Sequence, residues 1–267
     1  AQTVLLTKSV TIDGSWDHPA DTSTVTTTLD ARGNGRVVYV DSGAAVTITN
    51  IIMRQGDATG AGNGNNGGGV YNAGSLTIID AWVQENTAVS GAGLYNAGTL
   101  LVDNSRVMTN TATQNGGGLY SNGLDTQVLG SNLRNNRMGG SGHGGGIYHE
   151  AGTLMVDGNR LHVNGYDGSP GGNGGAIYLN SGTGDSVDVR NNFIYANWAN
   201  EGGGLYNVDT NGRLWHNTFY NNTALNDIGG GLASIGGSPD IRNNIADSNS
   251  GHGIYTQNGT PRIDYNN

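Results

Sequence analysis

A glycine-rich motif that returns eight times constrains this chain more than any other feature. The motif reads Gly-Gly-Gly-apolar-Tyr or a close variant, and successive copies begin 22 to 30 residues apart. The copies begin at Gly67, Gly91, Gly116, Gly144, Gly174, Gly202, Gly229 and Gly251. A drifting period of this size is typical of a solenoid, in which each repeat forms one structural unit that stacks on the last.

The repeat from Gly91 to Asn115 predicts one coil made of three short strands. Leu94, Leu100 and Val107 each lie in a short apolar run, and Gly and Asn residues separate the three runs. The glycine density and the absence of a 3.6-residue period exclude helix. We therefore predict an all-β fold, a single-stranded parallel β-helix. At about 4.8 Å per coil, roughly nine coils give a rod about 45 Å long.

Three columns of apolar residues emerge when the repeats are aligned, and we predict that they fill the core. The first column follows the glycines: Val70, Leu94, Leu119, Ile147, Ile177, Leu205, Leu232 and Ile254. The second lies on the next strand: Leu76 and Ile78, Leu100 and Val102, Leu154 and Val156, Val187 and Val189. The third closes the coil: Val83, Val107, Leu133, Leu161, Ile194, Phe219 and Ile245.

An asparagine follows the third apolar column by three residues in most repeats. These residues are Asn86, Asn110, Asn136, Asn164, Asn197 and Asn222. Stacked asparagine amides hydrogen-bond from one layer to the next in cross-β structures, so we predict a structural asparagine ladder at this turn.

Composition limits the function classes that remain open. The chain has no cysteine, which excludes disulfides and thiolate metal sites. Its net charge of -9 disfavours nucleic acids and anionic membranes, and no apolar run is long enough for a membrane span. We predict a single domain over residues 1–267, with irregular first coils and insertions in 1–66 and regular coils in 67–267.

These columns resemble a known family. The chain resembles parallel β-helices of the pectate-lyase-like superfamily and, more narrowly, the repeats of polymorphic outer membrane proteins. Gly174-Gly175-Ala176-Ile177 matches the Gly-Gly-Ala-apolar hallmark of those repeats, and Phe219-Tyr220-Asn221-Asn222 matches their Phe-x-x-Asn hallmark. The resemblance covers roughly residues 36–267 and implies right-handed coiling. It predicts fold more than activity, because this fold hosts lyases, hydrolases, adhesins and passive stalks.

Four insertions interrupt the stack, at residues 14–29, 57–66, 138–143 and 165–173. The last three leave the same corner of the coil, and Asp167, Glu201 and Asp227 lie on that edge. A glycoside hydrolase needs two carboxylates at a defined separation, so these three are the candidate catalytic residues. We interpret them mainly as solvated loop acids.

No calcium-loop spacing surrounds the aspartates, so we predict no cofactor; calcium stays open without a motif to support it.

A tyrosine follows the first apolar column by one position in most repeats. These residues are Tyr71, Tyr95, Tyr120, Tyr148, Tyr178 and Tyr206, with Tyr39 before them. Because side chains alternate along a strand, the tyrosines face outward and form a stripe. Two interpretations stay open: the rings stabilise one another by packing, or they form a binding surface for a glycan or another protein.

The leading functional hypothesis is a non-catalytic extracellular or cell-surface β-helix that serves as a structural, adhesive or self-assembling element. The alternatives are a carbohydrate-active enzyme, either a polysaccharide lyase or a glycoside hydrolase, and a glycan-binding module.

The chain opens on strand-like residues 3–6 and stops within a coil at 265–267. We therefore expect end-to-end stacking of Val4–Leu6 on the coil that holds Ile254 and Ile263 of another copy.

Overall fold

The computed structural model describes residues 4–15, 27–60, 63–165, 171–182 and 184–267. Three long parallel sheets run the length of the molecule, and each coil of the chain contributes one strand to each sheet. The only described helix is a single 3-10 turn at Asn63–Asn65. The prediction of an all-β parallel solenoid is therefore confirmed.

The three long sheets are named in the order in which the chain visits them. The first sheet contains Val4–Leu6, Val38–Val40, Val70–Asn72, Leu94–Asn96, Leu119–Ser121, Ile147–His149, Ile177–Leu179, Leu205–Val208, Leu232–Ile235 and Ile254–Gln257. The second contains Val10–Asp13, Ala45–Thr49, Ser75–Ile79, Thr99–Asp103, Asp125–Leu129, Thr153–Asp157, Val187–Arg190, Gly212–Trp215, Asp240–Arg242 and Arg262–Asp264. The third contains Thr27–Asp30, Ile51–Arg54, Trp82–Gln84, Arg106–Met108, Asn132–Arg134, Arg160–His162, Phe193–Tyr195, Thr218–Tyr220 and Ile245–Asp247.

Two short pairs of strands extend the corner between the third and first sheets, where the glycine-rich segments lie. They are Thr87–Ala88 with Thr111–Ala112, and Trp198–Glu201 with Thr223–Ile228. Nine coils are complete across all three long sheets within the described residues, as the sequence period predicts. The first 66 residues supply two of these coils, with residues 16–26 and 61–62 outside the described ranges.

Pairing between coils is parallel and in register, so equivalent residues stack directly on one another. Leu94 pairs with Val70 on one side and Leu119 on the other, and Tyr95 pairs in the same way with Tyr71 and Tyr120. The first two apolar columns form one continuous buried cluster with most of the third. Alternation along each strand sends one set of side chains into this core and the other set outward.

The third column ends differently from the prediction. Ile245 pairs with Thr218, which faces outward, and Ile245 is 47% exposed. Ala246 instead pairs with the buried Phe219 and packs against the core. The asparagine rule identifies the correct residue, because Asn249 lies three positions after Ala246 and continues the ladder from Asn222. The prediction that Ile245 fills the core was therefore wrong by one position.

Two asparagine ladders hold the corners of the coils. In the predicted ladder, the side-chain oxygen of Asn110 accepts from the side-chain nitrogen of Asn86 at 2.9 Å and from its backbone N–H at 3.1 Å. Asn110 repeats this pattern with Asn136 in the next coil. A second ladder, between the second and third sheets, was not predicted: Asn159, Asn192, Asn217, Asn244 and Asn266. Its sequence signal is an asparagine two residues before the third apolar column.

The alternation at the third sheet generates a stability prediction. Phe219 is fully buried, while its neighbour Tyr220 is 44% exposed. Phe219→Ala should lower the free energy of unfolding by about 3–5 kcal/mol because it leaves a cavity in the core. Tyr220→Ala should cost much less. Urea unfolding of the two variants checks this, and equal losses would contradict the assigned register.

The predicted ladder generates a second stability prediction. Asn110→Ala leaves the backbone N–H of Asn86 and the carbonyl of Val83 without their side-chain partner. Each unsatisfied buried group costs about 1–3 kcal/mol, so the variant should lose at least that much stability. Thr111→Ala, at the exposed neighbouring position, serves as the control. Coincident thermal melts of Asn110→Ala and the unchanged protein would mean that the ladder contributes nothing there.

Candidate functional site

The outward face of the first sheet carries a ladder of stacked tyrosine rings. The ladder consists of Tyr39, Tyr71, Tyr95, Tyr120, Tyr148, Tyr178 and Tyr206. Neighbouring ring centroids lie 4.9–5.4 Å apart, and the ring planes differ by no more than 16°. In-register pairing places the rings one above another, as the sequence predicts. Because each inner ring is sandwiched between two others, both of its faces are in contact with tyrosine.

Two walls of side chains flank the ladder. One wall consists of residues that precede the glycine segments and contact the tyrosines: Asn66, His143, Asn173, Glu201 and Ile228. The other consists of residues that follow a first-sheet strand or end it: Asn122, Glu150, Asn180, Val208 and Ile235. The walls cover the rings, so Tyr120, Tyr148, Tyr178 and Tyr206 are only 6–9% exposed. The predicted stripe is thus a second, outer packing layer over these coils.

Hydrogen bonds tie the hydroxyl groups of the ladder to both walls. The hydroxyl of Tyr120 donates to Glu150 Oε2 at 2.5 Å, and Asn122 Nδ2 donates to the hydroxyl of Tyr95 at 3.2 Å. On the opposite wall, Glu201 hydrogen-bonds the hydroxyl of Tyr206. The outer surface of the ladder therefore presents ring edges, amides and carboxylates.

Burial sets the acid–base character of the ladder. Desolvation raises the pKa of Tyr178 to about 12, with smaller contributions from Tyr148 and Glu201. Burial, reinforced by the carboxylate of Glu150, raises the pKa of Tyr120 well above its usual range. Burial and then Glu201 raise the pKa of Tyr206 in the same way. These phenols stay protonated at neutral pH and act as hydrogen-bond donors, which suits packing and recognition.

The ladder is interrupted where the sequence changes. Ala233 replaces tyrosine in the coil after Tyr206, and it is fully buried. Ile228 on one wall and Ile235 on the other pack against this position, and Val208 is the apolar wall residue of the preceding coil. Apolar wall residues thus fill the space that a missing ring leaves. This compensation is consistent with a packing role for the layer.

Two of the three candidate catalytic acids, Glu201 and Asp227, lie within the described residues, and their surroundings differ. Glu201 is half-buried against the tyrosine ladder, where Asn173 Nδ2 donates to its Oε2 at 3.2 Å. Asp227 is exposed, and it precedes Ile228, the residue that pairs with Glu201 across a register shift. Its carbonyl oxygen accepts from the ring of His252. Asp167 lies outside the described residues.

Within the part of the chain that the structure describes, no three His, Cys, Asp or Glu side chains come together in a way that could hold a metal ion. No described residue is therefore assigned as a calcium ligand. The described chain also has no helix with the length and apolar character needed to cross a bilayer.

Sequence reasoning missed a polar column inside the first sheet. His149 occupies the inward position that Asn96 and Asn207 occupy in other coils, and it is fully buried. Its Nε2 donates to the carbonyl of Gly152 at 3.2 Å, which leaves Nδ1 to accept from Ser121 Oγ at 3.4 Å. Burial lowers the pKa of His149 to about 4, although Gly152 and Asp185 partly oppose the shift. His149 is therefore a neutral structural residue.

The chain matches no protein-family model, and no curated protein or solved structure is significantly similar to it. The structure shows the parallel β-helix by itself. The narrower resemblance to polymorphic outer membrane repeats rests on the quoted motifs alone.

The buried histidine predicts acid sensitivity. The unfolded chain binds a proton at His149 below about pH 6.5, whereas the folded protein resists protonation until about pH 4. Stability should therefore fall as the pH drops from 6.5 to 4.5, by about 2–3 kcal/mol from this residue. His149→Asn, which adopts the residue type found two coils away at Asn96 and Asn207, should remove that part of the loss. Urea unfolding at both pH values measures it; an unchanged pH dependence in the variant would contradict the assignment.

Proposed function

We propose that this protein is a non-catalytic extracellular structural element, a rod that self-assembles end to end. One observation carries the proposal. The first and last described coils expose apolar side chains, and their strand edges have no neighbouring strand on one side. At the first coil, Val4, Leu5 and Val10 are exposed, with Leu5 at 61%. At the other end, Ile245 and Ile263 are both 47% exposed. Burial of this surface against a like coil would favour association.

The backbone of the end strands is arranged for parallel pairing. Val4 donates to the carbonyl of Val37, and Leu6 accepts from the N–H of Asp41, so both bond to the second coil. Alternation points the N–H and C=O of Leu5 away from the stack. At the far end, Leu232 donates to the carbonyl of Gly253, so the equivalent groups of Ile254 face outward along the axis. Such edges are templates for adding another strand.

Several features favour a structural role over the carbohydrate-directed alternatives. Glycan-binding aromatic residues offer a ring face to a sugar, but the faces of the inner tyrosines are in contact with one another. Glu201 bonds to Asn173 and Tyr206, and Asp227 accepts through its backbone, so these acids take part in local structure. These contacts do not indicate that Glu201 and Asp227 form the carboxylate pair that hydrolysis needs.

Extracellular placement is part of the proposal. It is supported by the acidic net charge of -9 and by the resemblance of the repeats to those of surface proteins. Continuous strand pairing from coil to coil supplies a rigid element whose length grows with the number of coils. A head-to-tail contact between such elements is heterologous, and it produces an open filament unless it closes into a ring.

Removing the backbone N–H of Leu5, which points away from the stack, tests the proposed end-to-end assembly. Leu5→Pro removes an N–H that bonds to no other coil in the described structure, so the remaining coils should stay folded. Sedimentation velocity should show concentration-dependent growth of the unchanged protein and a monomer for Leu5→Pro. Leu5→Ala keeps the donor and serves as the control, with weaker but detectable association. An unchanged protein that stays monomeric at high concentration would contradict the proposal.

A further inference from the structure

The third sheet carries a positive outer face on an otherwise acidic protein. We define the cationic face as the outward residues of the five strands from Trp82–Gln84 to Phe193–Tyr195. Arg106, Arg134 and Arg160 are exposed there, and within the described residues none of them has an ion-pair partner. These five strands contain no Asp or Glu. The face therefore carries three uncompensated positive charges.

Neighbouring side chains hold these arginines in place. The guanidinium of Arg106 lies 4.6 Å from the ring centroid of Trp82, and Arg134 Nε lies 3.4 Å from Met108 Sδ. A guanidinium that stacks on a ring keeps its in-plane N–H groups free to bind carboxylates. Trp, Met and Arg are enriched in protein interfaces, where Lys and Glu are depleted. The composition of the face fits a protein partner with carboxylates.

A groove runs along one edge of the cationic face, at the corner with the second sheet. It has a volume of about 360 Å³ and lies between Arg106 and Arg160, with Asn132 at its centre. Gly130 and Gly158 occupy the corner positions here, and a Cβ placed on Gly130 would meet no atom within 4 Å. The groove has room for a carboxylate side chain flanked by two guanidinium groups.

The second sheet carries the opposite charge over the same coils. We define the acidic face as the outward residues of the five strands from Ser75–Ile79 to Val187–Arg190. It contains four aspartates, and Arg190 is its only cation, which gives a net charge of -3. The aspartates are Asp103, Asp125, Asp157 and Asp188. Arg190 pairs with Asp157 and Asp188, which leaves Asp103 and Asp125 without an arginine partner in the described structure.

We propose that the cationic face of one molecule docks on the acidic face of a second copy, with the two solenoids side by side and parallel. The two faces carry charges of +3 and -3 over the same five coils. Both repeat at the strand spacing of about 4.8 Å, so charges that match at one coil also match at the next. Leu101, Leu129 and Met155 are half-buried between the aspartates and supply apolar contact.

This lateral contact is heterologous, so each molecule keeps a free cationic face and a free acidic face for further copies. It uses the sides of the solenoid, and it does not rest on the end-to-end contact proposed above. Five coils span only about 24 Å, so a single contact is small. Rods that associate through their ends would present the faces repeatedly, and avidity would strengthen lateral pairing.

A charge-exchange experiment tests the lateral contact. The double variant Arg106→Glu/Arg160→Glu makes the cationic face negative, so both faces of that molecule are negative. The double variant Asp103→Arg/Asp125→Arg makes the acidic face positive, so both faces of that molecule are positive. Each variant alone should associate at least tenfold more weakly than the unchanged protein in sedimentation equilibrium, because like charges then meet. An equimolar mixture should restore association, since each altered face then meets an opposite charge. Both variants keep their end coils, so an axial contact would persist equally in all samples.

The matched control is Arg32→Glu/Arg137→Glu, which makes the same charge change at exposed arginines outside both the cationic and the acidic face. It should associate like the unchanged protein, and thermal melts should show that all variants fold. A mixture that associates no more strongly than its separate components would overturn the proposal. The proposal would also be overturned if the cationic face bound polyuronate or RNA while the unchanged protein showed no lateral association.

Discussion

In-register parallel hydrogen bonding between successive coils is the interaction on which the rest of this structure depends. It places each residue directly over its equivalent one coil away, as in the pairing of Leu94 with Val70 and Leu119. Every side chain therefore contacts its own column, and a residue type is stable there only if it packs well on itself. Leucine and valine do so in the core, asparagine at the corners and tyrosine on the outer face.

This constraint explains why a change in one column requires a change in its neighbours. The single alanine in the tyrosine column, Ala233, comes with Ile228 and Ile235 on the flanking walls. Gly130 and Gly158 occur where the corner opens into a groove between Arg106 and Arg160. Because columns repeat at the strand spacing, a local feature becomes a stripe along the axis. The functional surfaces of this solenoid are therefore lines of residues and flat faces.

The sequence predicted most of what repeats, although the second asparagine ladder was missed, and it did not predict what occurs once. Leu94, Tyr95 and Asn110 recur at fixed offsets, so their core, outer and corner positions followed from alternation. Ile245 was misplaced because its coil shifts an apolar residue by one position, and Asn244 and Asn249 mark the true register. The burial of Tyr120 was beyond prediction, since it depends on Glu150 from the next coil. Contacts between side chains of different coils cannot be predicted from the sequence of a single repeat.

We propose above that the molecule is a rod whose ends join. Length distributions from negative-stain electron micrographs test this most directly, over a range of protein concentrations. We expect particles of constant width whose lengths fall on multiples of about 45 Å, the length of roughly nine stacked coils, with longer particles at higher concentration. A single length of about 45 Å at every concentration would contradict it.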